Sequence, residues 1–209
     1  MVFSDRFEAG ELLAQKLSKY ANDPDTIVIA LPRGGVPVAY VIAKQLGLPL
    51  DIFFVKKIPS PYNPEAAIGA ISENGLEFIN ERVVMMLNVS RHYIDEQAQK
   101  IMEGIKQKRA LYQRPRKSIV GKRVILVDDG VATGASMYLA AKALKEEGAK
   151  EVIIAVPVAP PDSIAMLKEV ADEVIVLDIP ADFMAVGQYY RDFHQLDDKE
   201  VVELLENTP

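Results

Sequence analysis

Two adjacent carboxylates, Asp128 and Asp129, follow the apolar run Val124 to Val127 and precede the small-residue loop Gly130 to Ser136. The run suits a buried parallel strand, and the loop opens into a helix-like pattern from Tyr138 to Glu147. Amides in the first turn of a helix have no partner within it. Backed by the hydroxyls of Thr133 and Ser136 and the backbone freedom of Gly130 and Gly134, they can hold a phosphate monoester. The two acids would repel that phosphate, so they suit vicinal sugar hydroxyls or a bound Mg2+. A sugar phosphate satisfies both halves of the stretch. The plainer alternative is an acidic strand end with an ordinary helix cap.

A second turn offers complementary chemistry. Leu31-Pro32-Arg33-Gly34-Gly35 closes a β-run that begins at Thr26 and leads into a helix from Val36 to Leu46. Its glycines let the backbone approach a ligand, and Arg33 presents a positive fork to diphosphate oxygens. Taken alone, it serves equally as a tight turn with an exposed arginine. It matches neither the dinucleotide fingerprint nor the P-loop. A further β-run, Leu50 to Val55, ends at Lys56 and Lys57, which can neutralise a polyanion or simply solvate a strand end. Near the end of the chain, Asp178 to Asp192 carries Phe183, Tyr189 and Tyr190. These aromatics suit a wall for a planar ring, with packing of a C-terminal flap as the alternative.

These residues need a frame. Ser4 or Asp5 can cap a first helix with Phe7, Leu12, Leu13 and Leu17 on its apolar stripe, and Arg6 reads as surface charge or a reach to a neighbouring subunit. Pro59 to Ala67 reads as a loop, followed by a hairpin around Asn74-Gly75. Asn80 and Ser90 can cap two helices, the second running past Gly104 to Leu111. Lys106, Lys108, Arg109, Arg114, Arg116 and Lys117 give that segment a basic face, suited to solvent or to nucleic acid. Glu151 to Val156 and Glu173 to Leu177 read as strands, and Pro160 to Val170 and Asp197 to Leu205 as helices. The alternation predicts an α/β fold, a mostly parallel sheet with helices on both faces and both ligand turns on one edge. It predicts a single domain over 1–209, with a helical insertion at about 80–117 and a C-terminal flap at about 179–209.

The composition narrows the classes. A net charge of −6 over 209 residues argues against a general nucleic-acid surface, and the absence of cysteine removes thiolate chemistry and disulfides. No apolar segment is long enough to span a membrane, and no basic leader precedes an apolar run, so a cytoplasmic location is expected. His92 and His194 have no companions at a metal-binding spacing, and no GxSxG elbow supports a serine triad.

VILVDDGVATGAS, residues 124–136, resembles the phosphoribosyl-pyrophosphate signature of the type I phosphoribosyltransferases, with Gly130 and Ala132 departing from the commoner branched and hydroxyl residues. The resemblance implies a Rossmann-like type I fold and a Mg2+-dependent enzyme that moves phosphoribose from phosphoribosyl pyrophosphate to a nitrogenous base, releasing pyrophosphate. Asp128 and Asp129 then engage the ribose and, with Asp192, a partly water-mediated Mg2+. Ala132, Thr133, Gly134, Ala135 and Ser136 take the 5-phosphate. Arg33, Gly34 and Gly35 face the diphosphate, joined by Lys57 as first choice and Lys56 as second. Arg33, Lys57, Asp128 and Asp129 carry the catalytic roles. Phe183 corresponds to the base-stacking residue, and Tyr189 or Tyr190 are alternatives. The resemblance also implies a role in nucleotide and nucleoside metabolism and a closing loop after Lys57. A homo-oligomer, with a dimer favoured, is expected, with no membrane partner. Two other readings stand beside this one: a non-catalytic sensor of phosphoribosyl pyrophosphate, and a nucleic-acid-associated protein using the basic segment.

Overall fold

The computed structural model describes residues 1–209. In chain order the elements are α1 (Arg6–Lys16), β1 (Thr26–Ala30), α2 (Gly35–Leu46), β2 (Leu50–Ile52), β3 (Val55–Pro59), β4 (Ala67–Ser72), β5 (Glu77–Ile79), α3 (Glu81–Met86), α4 (Arg91–Leu111), β6 (Arg123–Val127), α5 (Ala135–Glu146), β7 (Glu151–Val158), α6 (Pro161–Leu167), β8 (Glu173–Asp178) and α7 (Asp198–Glu206). Five strands form one parallel sheet in the order β2-β1-β6-β7-β8, and β3-β4-β5 form a separate antiparallel sheet. The parallel α/β architecture expected from the alternation is present.

Period-two patterning builds the core on both faces. Val28, Ala30, Ile125, Val127, Ile153 and Ala155 point toward α1, α2 and α7. Their neighbours Ile27, Ile29, Val124, Leu126, Ile154 and Val156 point toward α5 and α6. Asp5 caps α1, accepting from the Glu8 amide at 2.9 Å, while Ser4 bonds the Glu8 carboxylate instead. The buried stripe of α1 is Ala9, Leu13 and Ala14, leading to Leu17, and Phe7 is 40% exposed, so the expected stripe is shifted away from Phe7. Asn80 and Ser90 cap α3 and α4 as expected, and α4 continues through Gly104.

The second β-run departs from expectation. It divides after Ile52, because Phe53 and Phe54 are buried in opposite cores and the Phe54 amide bonds Glu73 at 3.2 Å instead of extending the parallel ladder. Val55 onward joins the antiparallel sheet, which packs against α4 through Ile58, Ile68, Ile71, Ile94 and Ala98. Lys56 and Lys57 therefore lie within a strand and not at a strand end.

The expected basic face is largely neutralised inside the molecule. Arg109 pairs with Asp51 at 3.2 Å and with Glu73, and donates to the Ile52 and Arg114 carbonyls. Arg114 donates to the carbonyls of Leu50, Thr208 and Pro209. Lys108 pairs with Asp198 and Arg116 with Glu147, each at 2.6 Å. The charges that looked available to a polyanion mostly tie α4 and the segment after it to β2 and α7. Asp51 and Glu73 are only 3% and 6% exposed at their side chains, so removing their shared cation would strand two buried carboxylates.

Arg109→Ala should accordingly destabilise the fold by about 3–5 kcal/mol, read as a lowered urea midpoint. An unchanged midpoint would show that the network contributes no net stability.

Candidate functional site

The strand order reverses between β1 and β6. The chain leaves β1 for β2 on one side, then returns to build β6, β7 and β8 on the other. Loops at the carboxyl ends of the two strands flanking such a switch point diverge and leave a crevice. Here those loops are Leu31–Gly35 and Asp128–Ser136, the two turns singled out by their residues.

They meet in direct contact. A Cβ at Gly34 would overlap Asp129 Oδ2, and one at Gly35 would lie 2.8 Å from the Val127 carbonyl and 3.0 Å from Asp128 Cα. Neither position admits a side chain without displacing the acidic strand end. The Pro32–Arg33 peptide is cis. Arg33, Gly34, Asp128 and Asp129 all line one cavity of 310 Å3, together with Arg6 and the C-terminal residues Phe193 to Leu196.

The acids are held unequally. Asp128 Oδ1 accepts from the Asp129 amide at 2.8 Å, and Asp129 Oδ2 accepts from Arg6 Nε at 3.0 Å. Burial and then the charge of Asp129 raise the Asp128 carboxyl well above its ordinary pKa. Burial also raises Asp129, opposed by the Arg6 guanidinium. Arg6, expected at the surface, is 7% exposed. It also donates to the His194 carbonyl at 2.9 Å and lies over the Phe193 ring at 4.2 Å. Arg6 and the run Phe193 to Leu196 are the cavity residues the sequence did not disclose. The one available signal was that Arg6 falls beside the cap of an amphipathic helix.

The rest of the acidic loop leads away from this cavity to the start of α5. Gly134 adopts φ +86° at the helix N-cap, and the Ala132 carbonyl accepts from the Ser163 hydroxyl of α6. Ala132, Thr133 and Ala135 are exposed there and Ser136 is half-buried. The Thr133 hydroxyl sits 3.4 Å from the Ala135 amide, at the head of the helix.

The remaining candidates divide. Lys56 and Lys57 point to opposite faces of β3 by strand alternation. Desolvation of its amine, and then the charges of Lys108 and Arg33, lower the Lys56 pKa, which places Lys56 on the Arg33 side. Lys57, the first choice for diphosphate, is on the other face. Phe183 and Tyr189 stack on each other, with ring centroids 5.7 Å apart and planes at 6°. Tyr190 is turned into the protein between Phe3 and Phe193, its hydroxyl donating to the Asp129 carbonyl at 2.6 Å. It is therefore a support for the acid and not a wall for a ring. Asp192 is outside the cavity lining, exposed and bonded to His194 Nδ1 at 2.9 Å.

Residues 6–194 match the phosphoribosyl transferase domain family. A Mycobacterium tuberculosis protein, provisionally named a phosphoribosyl transferase, is 41% identical over 207 residues, an alignment spanning 98% of this chain and 46% of that relative. The chain thus spans about half the length of the curated relatives it matches most fully. An amidophosphoribosyltransferase of Rhizobium etli is 32% identical over 143 residues, covering 66% of this chain and 27% of the relative. The crystal structure of TT1426 from Thermus thermophilus is similar throughout, with a TM-score of 0.81 at 40% identity and 98% of both chains covered.

The raised Asp128 pKa has a sign that can be tested. Ionising this carboxyl costs the folded state more than the unfolded chain, so the penalty grows as pH rises from the ordinary carboxylate value through the raised one. Asp128→Asn should raise the melting temperature of the ligand-free protein at pH 7.5 by roughly 2–8 °C, with the gap closing as pH falls toward about 4. Equal melting temperatures at pH 7.5 would contradict the strained-acid reading.

Proposed function

The chain belongs to the type I phosphoribosyl transferase family, and on that premise we propose that it transfers phosphoribose from phosphoribosyl pyrophosphate to a nitrogenous base. The observation that supports the proposal is the contact of Gly34 with Asp129 at the switch point, where Arg33, Gly34, Asp128 and Asp129 line one cavity.

Each part then has a task. Asp128 and Asp129 accept hydrogen bonds from the ribose hydroxyls, and Arg6 and Tyr190 fix Asp129 for that purpose. The amides from Ala132 to Ser136 take the 5-phosphate at the head of α5. Arg33 offers its fork to the diphosphate. The anomeric C–O bond breaks as the C–N bond forms, and pyrophosphate leaves with the electron pair. Positive charge on the sugar is greatest during that exchange, close to the two carboxylates, while Arg33 meets the charge growing on the leaving group. The acceptor nitrogen loses its proton to solvent or product diphosphate.

The donor set fits Mg2+. The acids bring two oxygen-donor carboxylates against a single guanidinium, which is bonded to Asp129 alone, and Mg2+ commonly takes one or two carboxylates while retaining waters. Asp128 and Asp129 would hold it, and when bound it would neutralise diphosphate charge. Asp192, engaged with His194, is a weaker candidate. Phe183 and Tyr189 would have to separate, or offer an outer face, to stack on a base.

Incubation with Mg2+, phosphoribosyl pyrophosphate and a panel of nucleobases should yield pyrophosphate and a new nucleotide mass. Saturable donor binding without any product across the panel would favour a sensor, and no binding at millimolar donor would refute the assignment. In the same assay Arg33→Ala should lower turnover or diphosphate affinity by at least about tenfold while leaving ribose 5-phosphate binding intact. Normal kinetics would remove Arg33 from the site.

A further inference from the structure

One carboxylate outside the acidic pair gathers the cations nearest the diphosphate turn. Asp198, at the start of α7, accepts from Lys108 Nζ at 2.6 Å and from the Tyr112 hydroxyl at 2.7 Å, and lies 3.8 Å from Arg33 Nη1. Lys108 and Tyr112 both come from the end of α4, so three distant stretches of chain converge on this carboxylate. Beneath them Phe54 and Tyr112 stack with centroids 6.2 Å apart; Lys56 Nζ lies 5.8 Å from the Phe54 centroid and Lys108 Nζ 5.8 Å from that of Tyr112. Arg33 and Lys108 therefore share a single acid, with Lys56 near enough to interact with all three charges, an excess of positive charge beside the cavity that Arg33 itself lines.

Asp198 is not needed to cap its own helix. Asp197 does that, accepting from the Glu200 amide at 2.8 Å. Nor is the cluster deeply buried, since the Asp198, Lys108 and Arg33 side chains are 31%, 36% and 39% exposed, leaving all three open to exchange with an incoming anion. An anion that bonded Arg33 would stand within reach of Lys108, because both already touch the same carboxylate.

We propose that Lys108 is a diphosphate ligand supplied by α4, and that Asp198 is a built-in counter-ion which holds Arg33 and Lys108 together until diphosphate displaces it. The assignment rests on reading the Arg33 turn as the diphosphate site. It adds that binding exchanges an internal anion for an external one, so the measured affinity is a difference between the two. Freeing Lys108 also loosens one tie between α4 and α7.

Calorimetric titration of the full chain with inorganic pyrophosphate in Mg2+ tests it, with phosphoribosyl pyrophosphate and ribose 5-phosphate titrated in parallel and melting curves run on each variant. Lys108→Met, which keeps the aliphatic stem on Tyr112, should weaken pyrophosphate by about tenfold and leave ribose 5-phosphate unchanged. Lys108→Arg should retain the affinity. Asp198→Asn should tighten pyrophosphate by about threefold. Unchanged affinity in Lys108→Met, weaker binding in Asp198→Asn, or no pyrophosphate binding by the unmodified protein would each overturn the proposal. If phosphoribosyl pyrophosphate binds the unmodified protein but Lys108→Met and Asp198→Asn bind pyrophosphate as it does, this inference fails and the donor assignment stands. If the variants behave as expected with pyrophosphate while neither sugar phosphate binds, the counter-ion exchange stands and the donor assignment fails.

Discussion

A single guanidinium joins three parts of the chain that share no sequence neighbourhood. Arg6, from the first turn of α1, reaches Asp129 at the end of β6 and the His194 carbonyl near α7, with its plane over Phe193. Without it the two adjacent carboxylates would face each other and the low-dielectric interior with no charge to offset them. A buried ion pair of this kind adds little net stability, because desolvation offsets most of the attraction. Its role here is geometric. The acid is fixed from above by Arg6 and from its backbone by Tyr190, so the Gly34 turn has a fixed surface to rest against.

Much of this was legible in the sequence. Apolar runs ending in charged or glycine-rich turns marked β1 and β6, and Asn80 and Ser90 capped the helices that follow them. The two turns that meet at the switch point stood out because an acidic pair and paired glycines at strand ends are residue types suited to close approach of a ligand. What was not legible depended on contacts between distant segments. Arg6 carries the same local signature as any charged residue in a first helical turn, and only its position against Asp129 distinguishes it. Tyr190 looked as suited to stacking on a base as Phe183, since sequence does not tell which face of an irregular segment turns inward.

The second β-run and the basic segment misled for a common reason. Leu50 to Val55 is uniformly apolar apart from Asp51, and nothing in its pattern announces that Glu73 will capture the Phe54 amide. Arg109 and Arg114 read as surface charge because their partners, apart from the Arg114 carbonyl that Arg109 meets, lie 36 to 95 residues away in sequence. Charge composition reports what a chain carries and is silent on how much of it is paired internally.

The docking of the residues before α1 on the segment beyond β8 has a consequence for the cavity. Phe3 donates to the Tyr189 carbonyl at 2.7 Å, and its own carbonyl accepts from Arg191 at 2.8 Å, so the residues before α1 dock on the segment beyond β8. Contacts of such sequence separation carry the largest loop-closure cost and form late. The strands β6, β7 and β8 pair in chain order, whereas the cavity has its Phe193 and His194 wall only where the segment beyond β8 is docked. That wall rests on contacts spanning 188 residues of chain, so it is the part of the site most dependent on the rest of the fold.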